Sequence, residues 1–145
     1  MDGQDADRRP RILVWNFSPE EKAQLDQALR RVKAPPAETI PPERGHLLVR
    51  DILTTEKTGS EPFVCDEKIV LFHNIPQQGV FFLIRLFKEE ELPRPIFAVV
   101  TEHSINWPFS ELVRHLVKER NAMAKRKREA EEPPRAEQLA RHNEE

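Results

Sequence analysis

Short, dense apolar runs alternate along this chain with stretches whose apolar residues recur at helical spacing. Arg11–Phe17 (RILVWNF) is nearly continuous, which is how a strand buried on both faces reads. Ser18-Pro19-Glu20-Glu21 follows, and it predicts a helix start: Ser18 caps, Pro19 occupies the first turn where its missing N–H costs nothing, and Glu21 completes a capping box. Leu25, Ala28, Leu29 and Val32 continue at i, i+3, i+4, i+7, and Ala34-Pro35-Pro36 ends the helix.

Ala37–Ile40 predicts a short second strand. His46–Leu53 fits neither period cleanly. A short helix burying Leu48 and Ile52 is the preferred reading over a strand. Thr54–Pro62 is a polar connection with turn chemistry at Gly59-Ser60. Lys68–Phe72 (KIVLF) reads as another buried strand, with Phe63 as an earlier alternative start, and Pro76 forbids its continuation. Gly79–Phe87 is apolar almost all round, which predicts a helix covered on more than one side. Ile96–Val100 is the last strand. Phe109, Leu112, Val113 and Leu116 give the final helix its buried stripe.

Strand and helix taking turns predict a single three-layer α/β domain. It has about four mostly parallel strands in the order 2-1-3-4, with helices on both faces. No internal repeat is evident in the residues. The 145-residue chain is long enough for one core, but its 33% charged content and mean hydropathy of -0.66 are polar for a compact domain. The excess lies at the ends. The expected organisation is a disordered segment at 1–10, an α/β domain at 11–123, and a charged helical extension with a disordered tail at 124–145. A net charge of -2 gives no global field toward nucleic acid or a membrane. The single cysteine, Cys65, excludes an intrachain disulfide and fits a reducing compartment. No apolar run approaches the roughly 20 residues of a membrane span. A cytoplasmic protein is expected.

Parallel βα units would bring their strand ends to one rim, where open α/β sheets bind ligands. The candidate binding residues are therefore Asn16, His73, Asn74, Thr101, Glu102, His103 and Asn106, with Trp107 as a stacking surface or a hydrophobic lid. Helix capping by Asn and Ser, with His at the surface, would also place such residues at strand ends. No catalytic motif, cofactor loop or metal set is expected. The four glycines are isolated, and no His pair at i, i+4 or Cys-x-x-Cys occurs. Asn16 and His73-Asn74 stand where a phosphoacceptor receiver domain would need carboxylates.

The leading expectation is a non-enzymatic binding or regulatory module whose partner is another protein. The alternative is a small-molecule-binding protein or hydrolase using His73 or His103 as general base. A third reading takes Lys125, Arg126, Lys127 and Arg128 as a basic patch for nucleic acid, disfavoured by the neighbouring Glu129, Glu131 and Glu132 and by the lack of interleaved aromatics. Oligomeric state is left open.

Ala98-Val99-Val100-Thr101, Asn106-Trp107, Glu111-Leu112 and Glu119 carry a family resemblance. This segment resembles the end of a small bacterial family of domains of unknown function, whose members are stand-alone chains of roughly a hundred residues. The resemblance is specific over Ile96–Met123 and architectural before it. It implies the α/β fold and no particular activity. The Lys125–Arg128 run and the proline-containing tail depart from it.

Overall fold

The computed structural model describes residues 9–131. The order of elements is β1 (Arg11–Trp15), α1 (Pro19–Arg31), β2 (Ala37–Ile40), a 3₁₀ turn (Pro42–Arg44), α2 (Val49–Thr54), β3 (Ile69–His73), α3 (Gln77–Glu89), β4 (Ile96–Val99), a second 3₁₀ turn (Ser104–Asn106) and α4 (Phe109–Glu131). Of the disordered segment expected at 1–10, residues 1–8 lie outside the described residues, as does the disordered tail expected beyond Pro133-Pro134. The described chain divides after Val113 into two compact units. In the second, α4 from Arg114 onward is mostly exposed, and His115 lies 3.3 Å from Glu119.

The capping box at Ser18 forms as expected. The Glu21 N–H donates to Ser18 Oγ at 3.1 Å, and the Ser18 N–H donates to Glu21 Oε1 at 2.8 Å. Lys68 Nζ also reaches Glu21 Oε1, at 2.9 Å. The Ser18 backbone donor first, and Lys68 second, hold the Glu21 carboxyl below the usual carboxylate range. A carboxyl depressed on folding stabilises the folded state above its unfolded pKa, and that contribution is lost as pH falls through the folded value. Denaturant titrations of wild type and Glu21→Gln should therefore show a difference near pH 7 that shrinks as the pH falls through and below the ordinary carboxylate range.

The sheet has the expected order, β2-β1-β3-β4, but it is mixed. β1 is parallel to β2 and β3 is parallel to β4, whereas β1 and β3 are antiparallel. The reversal arises in the connection between β2 and β3. Arg11 Nη1 bonds the Leu53 carbonyl, so the end of α2 lies by the start of β1. Asn16 Nδ2 bonds the Asp66 carbonyl at 2.8 Å, so the chain has returned to the end of β1 before β3 begins. The irregular residues 55–68, expected only as a polar connection in their first part, thus make a second traverse.

One face of the sheet carries Ile12, Val14, Val70 and Phe72 beneath α1 and α3, with Leu25, Leu29, Leu83 and Phe87 completing the core. Arg31 pairs with Glu90 between these two helices. The second layer is thinner than a helical layer, which corrects the three-layer expectation. It consists of α2, the first turn of α4 and Phe63, whose ring lies 5.3 Å from that of Trp15. In α2 the buried residues are Val49, Ile52 and Leu53. Leu48 instead precedes the helix as its half-buried cap. α3 also departs from expectation. Phe81 and Phe82 are 57% and 47% exposed, so this helix is covered on one side only.

The backbone reveals an internal repeat that the residues conceal. The units β1-α1-β2 and β3-α3-β4 have matching lengths of 5, 13 and 4 residues. Asn16 (φ 68°) and Asn74 (φ 59°) follow the first strand of each unit, and Lys33 (φ 59°) and Glu91 (φ 56°) follow each helix. Both helices end in the same bonds: Ala34 N–H to Leu29 O and Leu92 N–H to Phe87 O, each at 2.9 Å. Leu13 and Leu71 are equivalent in the two halves and stand directly opposite each other in the central pair.

The second layer repeats the relation. Val49 N–H bonds Trp107 O and Phe109 N–H bonds Leu47 O, both at 2.8 Å, around a bridge between Leu48 and Pro108. A pseudo-twofold axis thus passes through Leu13–Leu71 and Leu48–Pro108. The repeat is invisible in the letters because few core residues are identical between the halves, while burial and hydrogen bonding constrain only size and polarity.

Lys33 and Glu91 are exposed residues held in the left-handed region. That conformation costs an L-residue about 1–2 kcal/mol, against about 0.5–1 kcal/mol of extra chain entropy for glycine. Lys33→Gly and Glu91→Gly should each raise unfolding free energy by about 0.5–1 kcal/mol, measured by urea titration, with equal effects in the two halves.

Candidate functional site

The antiparallel central pair separates the expected rim into two poles. Asn16 ends β1 beside the start of β3, where its Nδ2 bonds Asp66 O and its carbonyl accepts from Lys68 Nζ at 2.9 Å. His73 ends β3 opposite Arg11, at the start of β1. Asn16 is therefore not part of a common edge with His73, Asn74 and Thr101, and the single-rim expectation fails for that residue. β3 and β4 do run together, and Val100 N–H bonds Phe72 O at 2.9 Å. His73, Asn74, Thr101, Glu102 and His103 thus remain on one rim.

Most of these polar groups shape the chain. Asn74 Nδ2 donates to Arg9 O at 3.2 Å, and the positive φ of Asn16 and Asn74 suits a residue type that tolerates the left-handed region. Thr101 and Ser104 cap each other. Thr101 N–H donates to Ser104 Oγ at 2.9 Å, Ser104 N–H donates to Thr101 Oγ1 at 3.0 Å, and His103 N–H reaches the same Thr101 oxygen at 3.2 Å. This arrangement sets the second 3₁₀ turn and leaves the side chains of Glu102 and His103 exposed. His73 is only 9% exposed. Asn106 Oδ1 accepts from Arg50 Nη2, and Trp107 is half-buried, its backbone N–H donating to Ser104 O at 3.0 Å. Helix capping does not place Asn16 or Asn74, whose amides tie loop segments together, whereas Thr101 does cap the second 3₁₀ turn.

Several concavities lie among the described residues, and three bear on the site. One of about 450 Å³ contains Arg11, Glu38 and Arg44. Its guanidinium groups are committed to the protein: Arg11 Nε bonds Glu38 at 2.9 Å, and Arg44 donates to the carbonyls of Lys57, Asp51 and Thr55 near the end of α2. A second, of about 500 Å³, is lined mainly by aromatic, proline and aliphatic groups near Trp15, Phe63 and Cys65. A third, of about 260 Å³, lies along β4, between Ile84, Phe87, Leu92 and Phe97. Among the described residues, no three His, Cys, Asp or Glu side chains gather as metal ligands. No described helix is long and apolar enough to cross a membrane.

The residues that sequence reasoning missed are Phe81, Phe82 and Val99. They are three of the five large apolar side chains exposed among the described residues. The signal was the apolar density of Gly79–Phe87, read there as deep burial. Residues 68–123 match a domain of unknown function (DUF3783). The matched segment opens just before β3 and ends within α4, so it spans the second half of the pseudo-twofold pair together with the segment whose motifs carry the family resemblance. The first half lies outside it. No curated protein and no solved structure gives a significant match.

Proposed function

We propose that this domain is a non-enzymatic protein-binding or regulatory module of the bacterial cytoplasm, working through the β4–α3 side of its second half. The observation that carries the reading is an asymmetry between otherwise equivalent halves. Phe81, Phe82 and Val99 are exposed apolar groups, while their counterparts are Ala23 and the polar Gln24 and Thr39. Exposed aromatic and aliphatic groups are a usual feature of protein contact surfaces.

Glu102 and His103 border this side at the carboxyl end of β4 and would orient a partner, with His73, Asn74 and Thr101 forming the rim behind them. The free Cys65 thiol fits a reducing compartment, and the family resemblance favours a bacterial source.

The test is a photo-crosslinking residue placed at Phe82 in the full chain and irradiated in living cells. A discrete protein adduct supports the reading. Absence of any adduct at Phe82 and at a second position, Phe81, would remove it.

A further inference from the structure

β4 is an edge strand, and its free side is unprotected in a way that the other edge is not. β2 has Pro35-Pro36 before it, Pro41-Pro42 after it, and Glu38 within it, paired to Arg11 at 2.6 Å. Prolines and charges are the ordinary means of blunting an edge. β4 carries no charge from Ile96 to Val99, and prolines precede it only. Ile96 N–H bonds Lys68 O, and Val100 N–H bonds Phe72 O. Strand alternation therefore directs the N–H and C=O of Phe97 and Val99 to the open side.

From these features we propose that β4 pairs antiparallel with β4 of a second copy of this chain, joining two four-stranded sheets into one; the proposal rests on reading this side as a protein-binding surface. The segment from Arg94 to Glu102 is self-complementary about Ala98. In that register Phe97 faces Val99 of the partner copy, and each such pair exchanges two main-chain hydrogen bonds across a twofold axis. The same register sets Arg94 opposite Glu102 at both ends of the seam. Both residues are exposed, and neither has an ion pair among the described residues.

The flanking helix suits the same occupant. Phe97 packs against Phe87 of α3 at 5.0 Å between ring centroids, so Val99, two residues on, projects toward the same face. Phe81, Ile84 and Lys88 form one stripe of α3 at i, i+3, i+7, and Ile84 and Lys88 border the groove beside Phe97. A twofold seam at β4 brings the Phe81–Ile84 stripes of two copies toward one another over the joined sheet. Opposite charges fix register and orientation there, while the apolar stripe and main-chain bonds hold the pair.

The experiment is sedimentation equilibrium of the full chain over a wide concentration range, with four variants. Wild type should sediment as a dimer. Val99→Lys, at a side chain already 46% exposed, should be folded and monomeric. Arg94→Glu and Glu102→Arg should each weaken the dimer by about tenfold or more, and the double exchange R94E/E102R should restore it to within a few-fold. A wild type that stays monomeric, a dimer unmoved by Val99→Lys, or a double exchange that fails to restore association would each overturn the proposal. The Phe82 crosslink separates this from the broader reading. An adduct containing two copies supports both, and an adduct with only a different protein keeps the binding module but overturns self-pairing.

Discussion

Phe72→Ala is expected to destabilise the domain by about 3–5 kcal/mol, the cost of removing a buried phenylalanine and leaving a cavity. Phe72 is fully buried in β3, lies opposite Ile12 of β1, and stacks on Phe97 of β4 with ring centroids 5.9 Å apart. It therefore belongs to both halves of the pseudo-twofold core and touches the strand whose outer edge is the proposed seam. Against a typical stability of about 5–15 kcal/mol, a loss of that size leaves a substantial unfolded fraction for a domain near the lower limit. Thermal and urea unfolding followed by circular dichroism read the effect. Phe72→Leu, which retains much of the volume, should lose less than half as much. An alanine variant within 1 kcal/mol of wild type would contradict the packing described.

The second large effect is expected from a small substitution. Gly45→Ala should cost about 1–3 kcal/mol through overpacking. The backbone at Gly45 is ordinary, with φ -69°, so glycine is required there for space. A Cβ at this position would stand 2.4 Å from Cβ of Phe63 and 3.1 Å from its Cγ. Phe63 cannot easily yield, because its ring also meets Trp15, His46 and Phe109, and its N–H bonds Pro42 O at 3.0 Å. The clash falls where the returning segment 55–68 is fastened over the sheet's second face. Gly59→Ala serves as the comparison. Its nearest contact is the Glu43 carbonyl at 3.1 Å, and a smaller loss is expected in the same urea titration.

Most element positions were legible because local chemistry fixes them. Ser18, Pro19 and Glu21 specify a helix start through three atoms close in sequence. Pro35-Pro36 and Pro76 bound strands and helices through a missing N–H and a fixed φ. The candidate rim was half legible. His73, Asn74 and Thr101–His103 do share a pole, because β3 and β4 are joined by one helix and run parallel. Asn16 does not, because its position depends on how residues 41–68 lie in space, and no local residue preference encodes a second traverse of the sheet. Phe81 and Phe82 failed for a related reason. Apolar content counts how much a helix can bury, whereas the number of neighbours that cover it is settled by the layers around it.

Sequence alone determined the βα alternation, the approximate positions of the strands and the capping box at Ser18, since these follow from side-chain period and backbone chemistry within a few residues. Tertiary structure alone decided the antiparallel central pair, the pseudo-twofold relation between halves, and the exposure of Phe81, Phe82 and Val99. Each of these depends on which distant segments meet. Such meetings are selected by total burial and hydrogen-bond satisfaction, which many different residue strings fulfil equally well.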